Sequence, residues 1–163
     1  MLSKQNGSIK LFDMKQLAAC AIFIFSVWSG IDAQETGCVD GSCSNGKGKY
    51  IYENGYIYNG NWVDGKRNGS GVLILPNGDK YDGMWVEDEY HGQGSYTWSD
   101  GSKYTGEWKK GIQDGYGIFF YPNGDKYTGY FKDNKFHGKG KYTWSDGSAQ
   151  EGVYENGQLK STQ

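Results

Sequence analysis

Aromatic residues and glycines alternate with polar residues at a fixed spacing from residue 58 to residue 149. Four consecutive segments of 23 residues each begin Tyr-x-Gly-x-(Trp/Phe), carry Gly-x-Gly at positions 12 and 14, and have Gly at position 21. These segments are named blocks one to four, and they span residues 58–80, 81–103, 104–126 and 127–149. Self-similarity at a constant period is typical of a repeat architecture in which each copy packs on its neighbours.

Each block is predicted to form a β-hairpin. In its first half, tyrosine, glycine and tryptophan occupy alternate positions and therefore lie on one face of a strand. In its second half, the two glycines share a face with the aromatic or leucine residues at positions 16 and 18. Tight hairpin turns need residues with positive φ, and these are supplied by Asn77-Gly78, Asp100-Gly101, Asn123-Gly124 and Asp146-Gly147.

The aromatic residues of each first strand are expected to cover the Gly-x-Gly pairs of the second strands, because a strand glycine exposes backbone on which a ring can lie. Such packing holds a sheet together without a helix layer, so we expect an all-β fold, an elongated single-layer antiparallel sheet. An aromatic stripe on this face, available for packing or for binding, comprises Tyr58, Trp62, Tyr81, Trp85, Trp98, Tyr104, Trp108, Tyr121, Tyr127, Phe131 and Trp144.

The repeat pattern extends weakly beyond the four clear blocks. Residues 35–57 keep the glycines in phase but lack the aromatic start, and residues 150–157 begin a further block that stops short. We therefore place a repeat array at residues 35–157, with a degenerate leading copy and a partial last copy. Residues 158–163 are predicted to be a tail.

The sequence also repeats with a longer period of two blocks. Blocks two and four share Tyr-Thr-Trp-Ser-Asp-Gly-Ser, whereas blocks one and three share Pro-Asn-Gly-Asp-Lys and the tyrosine that follows. The duplicated unit is therefore inferred to be a pair of blocks.

These residues resemble the membrane occupation and recognition nexus (MORN) repeat. The shared features are Tyr-x-Gly-x-Trp, a glycine three residues later, the Gly-x-Gly pair and the late Asp-Gly or Asn-Gly. The resemblance implies an antiparallel sheet with one hairpin per repeat, and a role as a scaffold or a membrane-proximal binding module. Blocks two and four depart from the pattern at position 8, where Asp88 and Asn134 replace glycine, so their first turns are expected to differ.

The N-terminal residues have the pattern of a secretory signal. Lys10 and Lys15 precede an apolar run over residues 17–28, and Ala33 is a small residue suited to cleavage. The run is shorter than the ~20 residues of a membrane-spanning helix. We therefore predict a signal peptide over residues 1–33, with Met14 as an alternative start and an uncleaved anchor or buried segment as the alternative fate. The mature protein would be periplasmic, in the cell envelope or secreted.

The cysteines are consistent with export. Removal of the signal removes Cys20 and leaves Cys38 and Cys43, and an even count in an oxidising compartment predicts a disulfide. Free thiols are the alternative, and a metal site would need further ligands nearby. Cys20 follows Leu-Ala-Ala as in a bacterial lipoprotein box, but it precedes most of the apolar run, so lipidation there is not expected.

No catalytic constellation is predicted. His91 and His137 occupy block position 11, where other blocks have Asn68 and Asp114, so they are assigned to left-handed turn positions. The Gly-x-Gly pairs lie within strands and no helix follows them, unlike phosphate-binding loops. The net charge of −2 gives no bulk attraction to nucleic acid. Asx turns are assigned to Asp79, Asp100, Asp125 and Asp146.

We therefore predict an exported, non-enzymatic interaction module or scaffold, with a protein partner and with no cofactor, metal or nucleic acid. Glycan or cell-wall binding through the aromatic stripe is the first alternative, and peripheral membrane-lipid binding is the second. Open sheet edges favour pairing, and block two is acidic where block four is basic, which suits an antiparallel homodimer. The apolar residues predicted at this dimer interface are Val72, Ile74, Ile118 and Phe120.

Overall fold

The structure is a computed structural model, and it describes residues 35–162. Over these residues the chain forms twelve β-strands and no helix, and the strands follow one another in a single open antiparallel sheet. This order confirms the predicted all-β sheet of consecutive hairpins. The predicted signal peptide and Cys20 lie outside the described residues.

Each of the four clear blocks contributes one hairpin, from β3–β4 for block one to β9–β10 for block four. The twelve strands are β1 Gly37–Gly41, β2 Gly46–Ile51, β3 Ile57–Val63, β4 Lys66–Ile74, β5 Lys80–Val86, β6 Glu89–Thr97, β7 Lys103–Lys109, β8 Ile112–Phe120, β9 Lys126–Lys132, β10 Lys135–Thr143, β11 Ala149–Glu155 and β12 Gln158–Thr162.

The sheet continues past the point where the repeat pattern stops. The segment predicted as a tail contains β12, which pairs antiparallel with β11. Asn156 and Gly157 both have positive φ, 51° and 86°, and form the same kind of tight turn as in the clear blocks. Residues 158–162 contain none of the aromatic residues that define the repeat, so the pattern alone does not reveal this strand.

The degenerate leading copy folds as a hairpin that carries a disulfide. The sulfur atoms of Cys38 and Cys43 are 2.11 Å apart, so the predicted pairing is present in the structure. The link joins β1 to the loop before β2 at one edge of the sheet. Because the closed loop is short, chain entropy predicts a stabilisation of only about 2 kcal/mol.

Four of the core residues are tyrosines that lie over pairs of glycines. In block two, Tyr81 is 0% exposed and covers Gly83 and Gly94, which face each other across β5 and β6. A Cβ on Gly83 would lie 2.6 Å from the Tyr81 hydroxyl oxygen, and one on Gly94 would lie closer still. The Tyr81 hydroxyl also donates a hydrogen bond to the Met84 carbonyl oxygen at 2.8 Å. The same arrangement recurs at Tyr58, Tyr104 and Tyr127.

The aromatic residue at position 5 joins each block to the block before it. The ring centroid of Trp85 lies 5.2 Å from that of Tyr81 in its own block and 5.3 Å from that of Tyr58 in the preceding block. The Trp85 indole N–H donates to the Gly71 carbonyl oxygen of that preceding block at 3.1 Å. The contacts with both tyrosines recur at Trp108 and Phe131. Trp62 packs on Tyr58 of its own block and donates its indole N–H to the Gly48 carbonyl oxygen.

Only one glycine of each Gly-x-Gly pair lies beneath a tyrosine, and the prediction that both are covered is wrong. The glycine at position 12 belongs to a β-bulge, and Gly92 there has φ 57°. A Cβ on Gly92 would face the Met84 side chain on the opposite side of the sheet. Glycine is therefore needed here for the backbone conformation of the bulge. The two glycines that each tyrosine covers are those at positions 3 and 14.

The left-handed turn role predicted for His91 and His137 is also wrong. Both histidines lie inside strands, in β6 and β10. The residues with positive φ are their neighbours Gly92 and Gly138. Because glycine adopts this conformation at little steric cost, the histidines remain in extended backbone.

The first turns of blocks two and four have the same backbone as those of the other blocks, contrary to expectation. Asp88 and Asn134 have φ of 69° and 62°, close to the 76° and 79° of Gly65 and Gly111. Asp and Asn tolerate the left-handed region better than other residues with a Cβ. The substitution therefore changes the side chain at this turn and preserves its geometry.

Gly94→Ala is expected to destabilise the protein by about 1–3 kcal/mol, because the added methyl group displaces the Tyr81 ring. The measurement is the free energy of unfolding from urea denaturation. In a Tyr81→Ala background the space above Gly94 is empty, so the same change should cost at least ~1 kcal/mol less there. An equal cost in both backgrounds would show that Tyr81 is not the reason for glycine at this position.

Candidate functional site

The predicted aromatic stripe divides into buried core residues and accessible ones. Its members at block positions 1 and 5 are between 0% and 6% exposed, so packing leaves them no surface for a ligand. The members at position 18 remain accessible: Trp98 and Tyr121 are half-buried, and Trp144 is 38% exposed.

A groove of about 440 Å³ opens on the aromatic face over blocks one and two. It is lined by the buried side chains of Leu73 and Trp85 and by the half-buried rings of Tyr52, Tyr56 and Tyr90. This groove is named groove one. The sequence prediction missed the three tyrosines, because Tyr52 and Tyr56 belong to the degenerate copy and Tyr90 lies at position 10, outside the expected stripe.

Arg67 forms one wall of groove one and is held in place from two sides. Its guanidinium carbon lies 4.2 Å from the centre of the Trp85 ring. Its Nε donates to an Asp88 carboxylate oxygen at 2.9 Å, and its backbone N–H donates to the same oxygen at 2.9 Å. The cation is therefore both neutralised and fixed in orientation.

Position 10 alternates between polar and aromatic residues along the array. Tyr90 stacks on Tyr81 with ring centroids 3.8 Å apart, and Phe136 stacks on Tyr127 at 3.7 Å. In blocks one and three, position 10 holds Arg67 and the buried Gln113. This alternation in the sequence is the signal that could have placed position 10 on the aromatic face.

Aspartates at position 22 connect each odd block to the even block after it. Asp79 accepts a hydrogen bond from the Tyr96 hydroxyl and another from the Ser99 backbone N–H, both at 2.8 Å. Asp125 accepts the equivalent bonds from Tyr142 and Ser145. The Asx turns predicted for these two aspartates are made instead by Asn77 and Asn123. Asp100 and Asp146 do accept from the backbone N–H two residues later.

These contacts explain the two-block period. Across the junction between blocks two and three, the residue equivalent to Tyr96 is Phe119, which has no hydroxyl to donate, and the residue equivalent to Ser99 is Pro122, which has no backbone N–H. The aspartate is accordingly replaced by Ser102. A second contact also occurs at the junctions of block one with two and of block three with four. Asp88 accepts a hydrogen bond from the Arg67 backbone N–H at 2.9 Å, and Asn134 accepts one from the Gln113 backbone N–H at 2.8 Å.

The carboxyl groups of Asp79 and Asp125, which connect neighbouring blocks, have pKa values below that of a free aspartate. Burial acts to raise the pKa of Asp79, but hydrogen bonds from Ser99, Tyr96 and Asn77 outweigh it, so the pKa lies below its usual value. For Asp125 the largest cause of the lowered pKa is the hydrogen bond from the Tyr142 hydroxyl. Burial and that same bond raise the pKa of Tyr142 to about 12.

The opposite face of the sheet carries accessible apolar side chains. Ile74 and Phe120 are 43% and 41% exposed, and Val72 and Ile118 are half-buried. These are the residues through which self-association was predicted. The homodimer stays a prediction.

The described part of the chain contains neither a candidate metal site nor a helix that could cross a membrane. Within residues 35–162, no group of three or more His, Cys, Asp and Glu side chains could hold a metal ion. No helix in this same range is long and apolar enough to cross a membrane.

Comparison with protein families matches the MORN repeat to residues 44–55, 58–80, 81–103, 104–126 and 127–149. No curated protein matches the chain. One similar solved structure is the TCP domain of SAS-4 from Drosophila melanogaster, in complex with a proline-rich motif of Ana2. It is 16% identical, the alignment covers 74% of this chain and 87% of that chain, and the TM-score is 0.31.

Acid is expected to weaken the fold through Asp79 and Asp125. Because folding lowers the pKa of both carboxyls, their stabilisation is complete above the unfolded value of about 4 and is lost as the pH falls through the lower folded value. Urea unfolding from neutral pH to about pH 2 measures this loss. An Asp79→Asn/Asp125→Asn variant should lose less stability on acidification than an Asp133→Asn control, which alters an exposed turn. Equal losses would contradict the assignment.

Proposed function

Because this chain belongs to the MORN repeat family, whose repeats are protein- or membrane-interaction modules, we propose that it is a non-enzymatic binding module or scaffold. In this proposal its aromatic face binds a segment of a protein partner, and groove one is the recognition site. The observation that carries the proposal is the half-buried aromatic lining of this groove.

The size and lining of groove one suit side chains of a peptide. Its volume of about 440 Å³ falls within the range of ~300–1,000 Å³ that is usual for binding pockets. Tyr52 and Tyr56 line it without belonging to the buried core. Accessible tyrosines supply contact area and a hydroxyl at low conformational cost, which is why they are enriched at protein interfaces.

The rigidity of the groove wall also supports binding. Arg67 is already oriented by Asp88 and by the Trp85 ring, so little conformational freedom is lost when a ligand contacts it. Its charge is balanced by Asp88, so groove one lacks the cluster of unpaired cations that anionic lipid surfaces attract. This balance favours a protein segment over a membrane at the site.

We further propose that the protein works outside the cytoplasm, in the periplasm, the cell envelope or the extracellular medium. Two observations support export: the apolar run over residues 17–28 and the disulfide between Cys38 and Cys43, a bond that persists in oxidising compartments.

N-terminal sequencing of the natively expressed protein should find a mature chain that begins at or near Gln34, because Ala33 is the small residue after the apolar run. Mass spectrometry of the same sample should show no free thiol on Cys38 or Cys43. A cytosolic product that begins at Met1 or Met14 would contradict export.

The groove is tested by capture of proteins from the native envelope fraction on the immobilised protein. Tyr52→Ser/Tyr56→Ser should weaken capture of the partner by at least ~10-fold, since tyrosine is enriched among interface hot spots, whose truncation costs about 2 kcal/mol or more. Trp144→Ser is the matched control, because it removes an exposed ring outside groove one. Unchanged capture by the double variant would overturn the assignment of the site.

Parallel sedimentation with cell-wall polymer and with liposomes of anionic lipid examines the two alternative ligands. The proposal expects neither to retain the protein. Retention that the Tyr52→Ser/Tyr56→Ser variant abolishes would instead identify a glycan or a lipid as the ligand of groove one.

A further inference from the structure

A second groove lies on the face of the sheet that points away from the tyrosine core. It has a volume of about 530 Å³ and crosses strands β8 to β11. Its residues on β9 alternate with the buried Tyr127 and Phe131, which places them on the opposite face. This groove is named the back groove, and its aromatic and charged side chains are Tyr116, Lys126, Tyr130, Lys139, Lys141 and Glu151.

Two accessible tyrosines form one side of the back groove. Tyr116 and Tyr130 face each other across β8 and β9, and their ring centroids are 5.4 Å apart. They are 47% and 51% exposed. Ile118 and Phe120 follow Tyr116 at alternate positions of β8 and therefore lie on the same face. These three residues of β8 are named the apolar row. Contiguous accessible apolar side chains are typical of interaction sites.

Lysines form the other side of the back groove. Lys126 lies on β9, Lys139 and Lys141 lie on β10, and all three are exposed. Lys141 pairs with Glu151 at 2.8 Å, whereas Lys126 and Lys139 make no ion pair with any residue within 35–162. Three lysines and one glutamate leave the lining with an excess of two positive charges.

The band of lysines is only two strands wide. Lys132 and Lys135, which face each other across β9 and β10, extend it toward the turn between these strands. At ~4.8 Å between strands the band is about 10 Å wide. Glu107 on β7 and Glu151 on β11 lie beyond it on the two sides. An anionic bilayer would cover these glutamates together with the lysines, so the narrow band favours a ligand as slender as one polypeptide segment.

The repeat fold does not require these side chains. Positions 13 and 15 hold Lys139 and Lys141 in block four, but uncharged residues in blocks one to three. Position 4 holds Tyr130 in block four and Asn61 in block one. All four blocks nevertheless form the same hairpin with a tyrosine over two glycines. The lysines and the tyrosine pair are therefore additions to a sheet that folds without them.

We infer that the back groove binds an amphipathic α-helix of a protein partner, with apolar residues along one side of that helix and acidic residues along the other. The apolar row on β8 and the lysines on β10 are two strand spacings apart, about 10 Å, and an α-helix is ~10–12 Å in diameter. A helix that lies along the strands contacts both at once. Its apolar side chains pack on Tyr116 and Phe120, and its carboxylates pair with Lys139 and Lys141.

The length of the apolar row sets the length of the helix. From Tyr116 to Phe120 the row extends about 14 Å, at ~3.4 Å per residue. About nine helical residues span this distance at ~1.5 Å each. The back groove lies on the other side of the sheet from groove one, so it is a separate binding surface, and the protein could hold two partner segments at the same time.

A second copy of this chain fits the back groove less well. Within residues 35–162 the chain contains no helix. The acidic residues of block two are also largely paired within their own chain, since Asp82 pairs with Lys80 and Glu87 pairs with Lys66. Little unpaired negative charge is left to face the lysines, so charge complementarity favours a different protein as the partner.

A synthetic helix tests the chemistry of the back groove. The probe is Ac-Ala-Leu-Glu-Ala-Ala-Leu-Glu-Ala-Leu-Glu-Ala-Ala-Leu-Glu-Ala-NH2, in which leucines lie along one side of the helix and glutamates along the adjacent side. The control peptide has glutamine in place of every glutamate. In NMR titrations of the 15N-labelled protein, the amides of Tyr116, Tyr130 and Lys139 report binding. The glutamate helix should bind about five- to tenfold more tightly than the glutamine helix, as two or three exposed ion pairs allow.

Two pairs of lysine substitutions separate local charge from net charge. Lys139→Ser/Lys141→Ser should reduce the preference for the glutamate helix to about twofold or less. Serine occupies position 13 in block one and position 15 in block two, so the hairpin should be retained. Lys47→Ser/Lys49→Ser makes the same change of net charge at the same positions of the degenerate copy, and it should leave the preference unchanged.

The apolar side of the back groove is tested by Tyr130→Asn, which introduces the residue that block one has at this position. Both peptides should bind at least ~5-fold more weakly, because tyrosine rings are frequent hot spots of interfaces. The preference for the glutamate helix should persist, since the lysines are unchanged.

Several results would overturn the inference. One is that neither peptide perturbs the back groove, and another is that both bind it equally; groove one keeps its proposed role in either case. Anionic liposomes or polygalacturonate that retain the wild type but not Lys139→Ser/Lys141→Ser would assign the surface to a lipid or a polysaccharide. A dimer in sedimentation equilibrium that Tyr130→Asn dissociates would assign it to a second copy of the chain.

Discussion

A tyrosine ring can lie flat against this sheet only where two glycines face each other across neighbouring strands. Gly83 and Gly94 leave the backbone bare, and Tyr81 fills the space that two side chains would otherwise occupy. The ring then supplies the apolar cover that other sheets obtain from a second layer. Its hydroxyl returns to the backbone at Met84, so its polar atom is satisfied as well. Tyrosine and both glycines therefore depend on one another.

The blocks also depend on their neighbours. Trp85 donates its indole N–H to Gly71 and packs on Tyr58, so it is buried only when block one precedes block two. Stability in such an array comes from interfaces between adjacent copies. Those interfaces are of two kinds here. The junctions of block one with two and of three with four contain aspartate bridges, whereas the junction of two with three relies on contacts such as Trp98 with Phe119.

The alternation between the two kinds of junction also affects which side chains remain accessible on the aromatic face. Because the aspartate bridges recur every two blocks, the residues around them recur every two blocks as well. Most rings of the aromatic stripe are needed for the core. The accessible surface of this face is left to residues outside the shared pattern, such as Tyr52 and Tyr56. In the proposed function, local differences on this regular frame provide the specificity.

The sequence by itself determined the features that follow from local rules. The repeat length, the hairpins, the Asn-Gly and Asp-Gly turns and the cysteine pairing all depend on alternation, turn chemistry or short chain separation, and each is present in the structure. The role of the tyrosines as cover for strand glycines was also predictable, because a ring over a strand glycine is a recurrent packing motif.

Only the tertiary structure decided which glycines are covered, which rings stay accessible and where Asp79 finds its partners. A bulge at Gly92 turns that glycine toward the other face, and no local pattern marks the bulge. Asp79 accepts hydrogen bonds from Tyr96 and Ser99 across the junction between blocks one and two. Groove one combines residues from several strands. Strand register and the packing of neighbouring blocks set these relations, since they place side by side residues that are far apart in the chain.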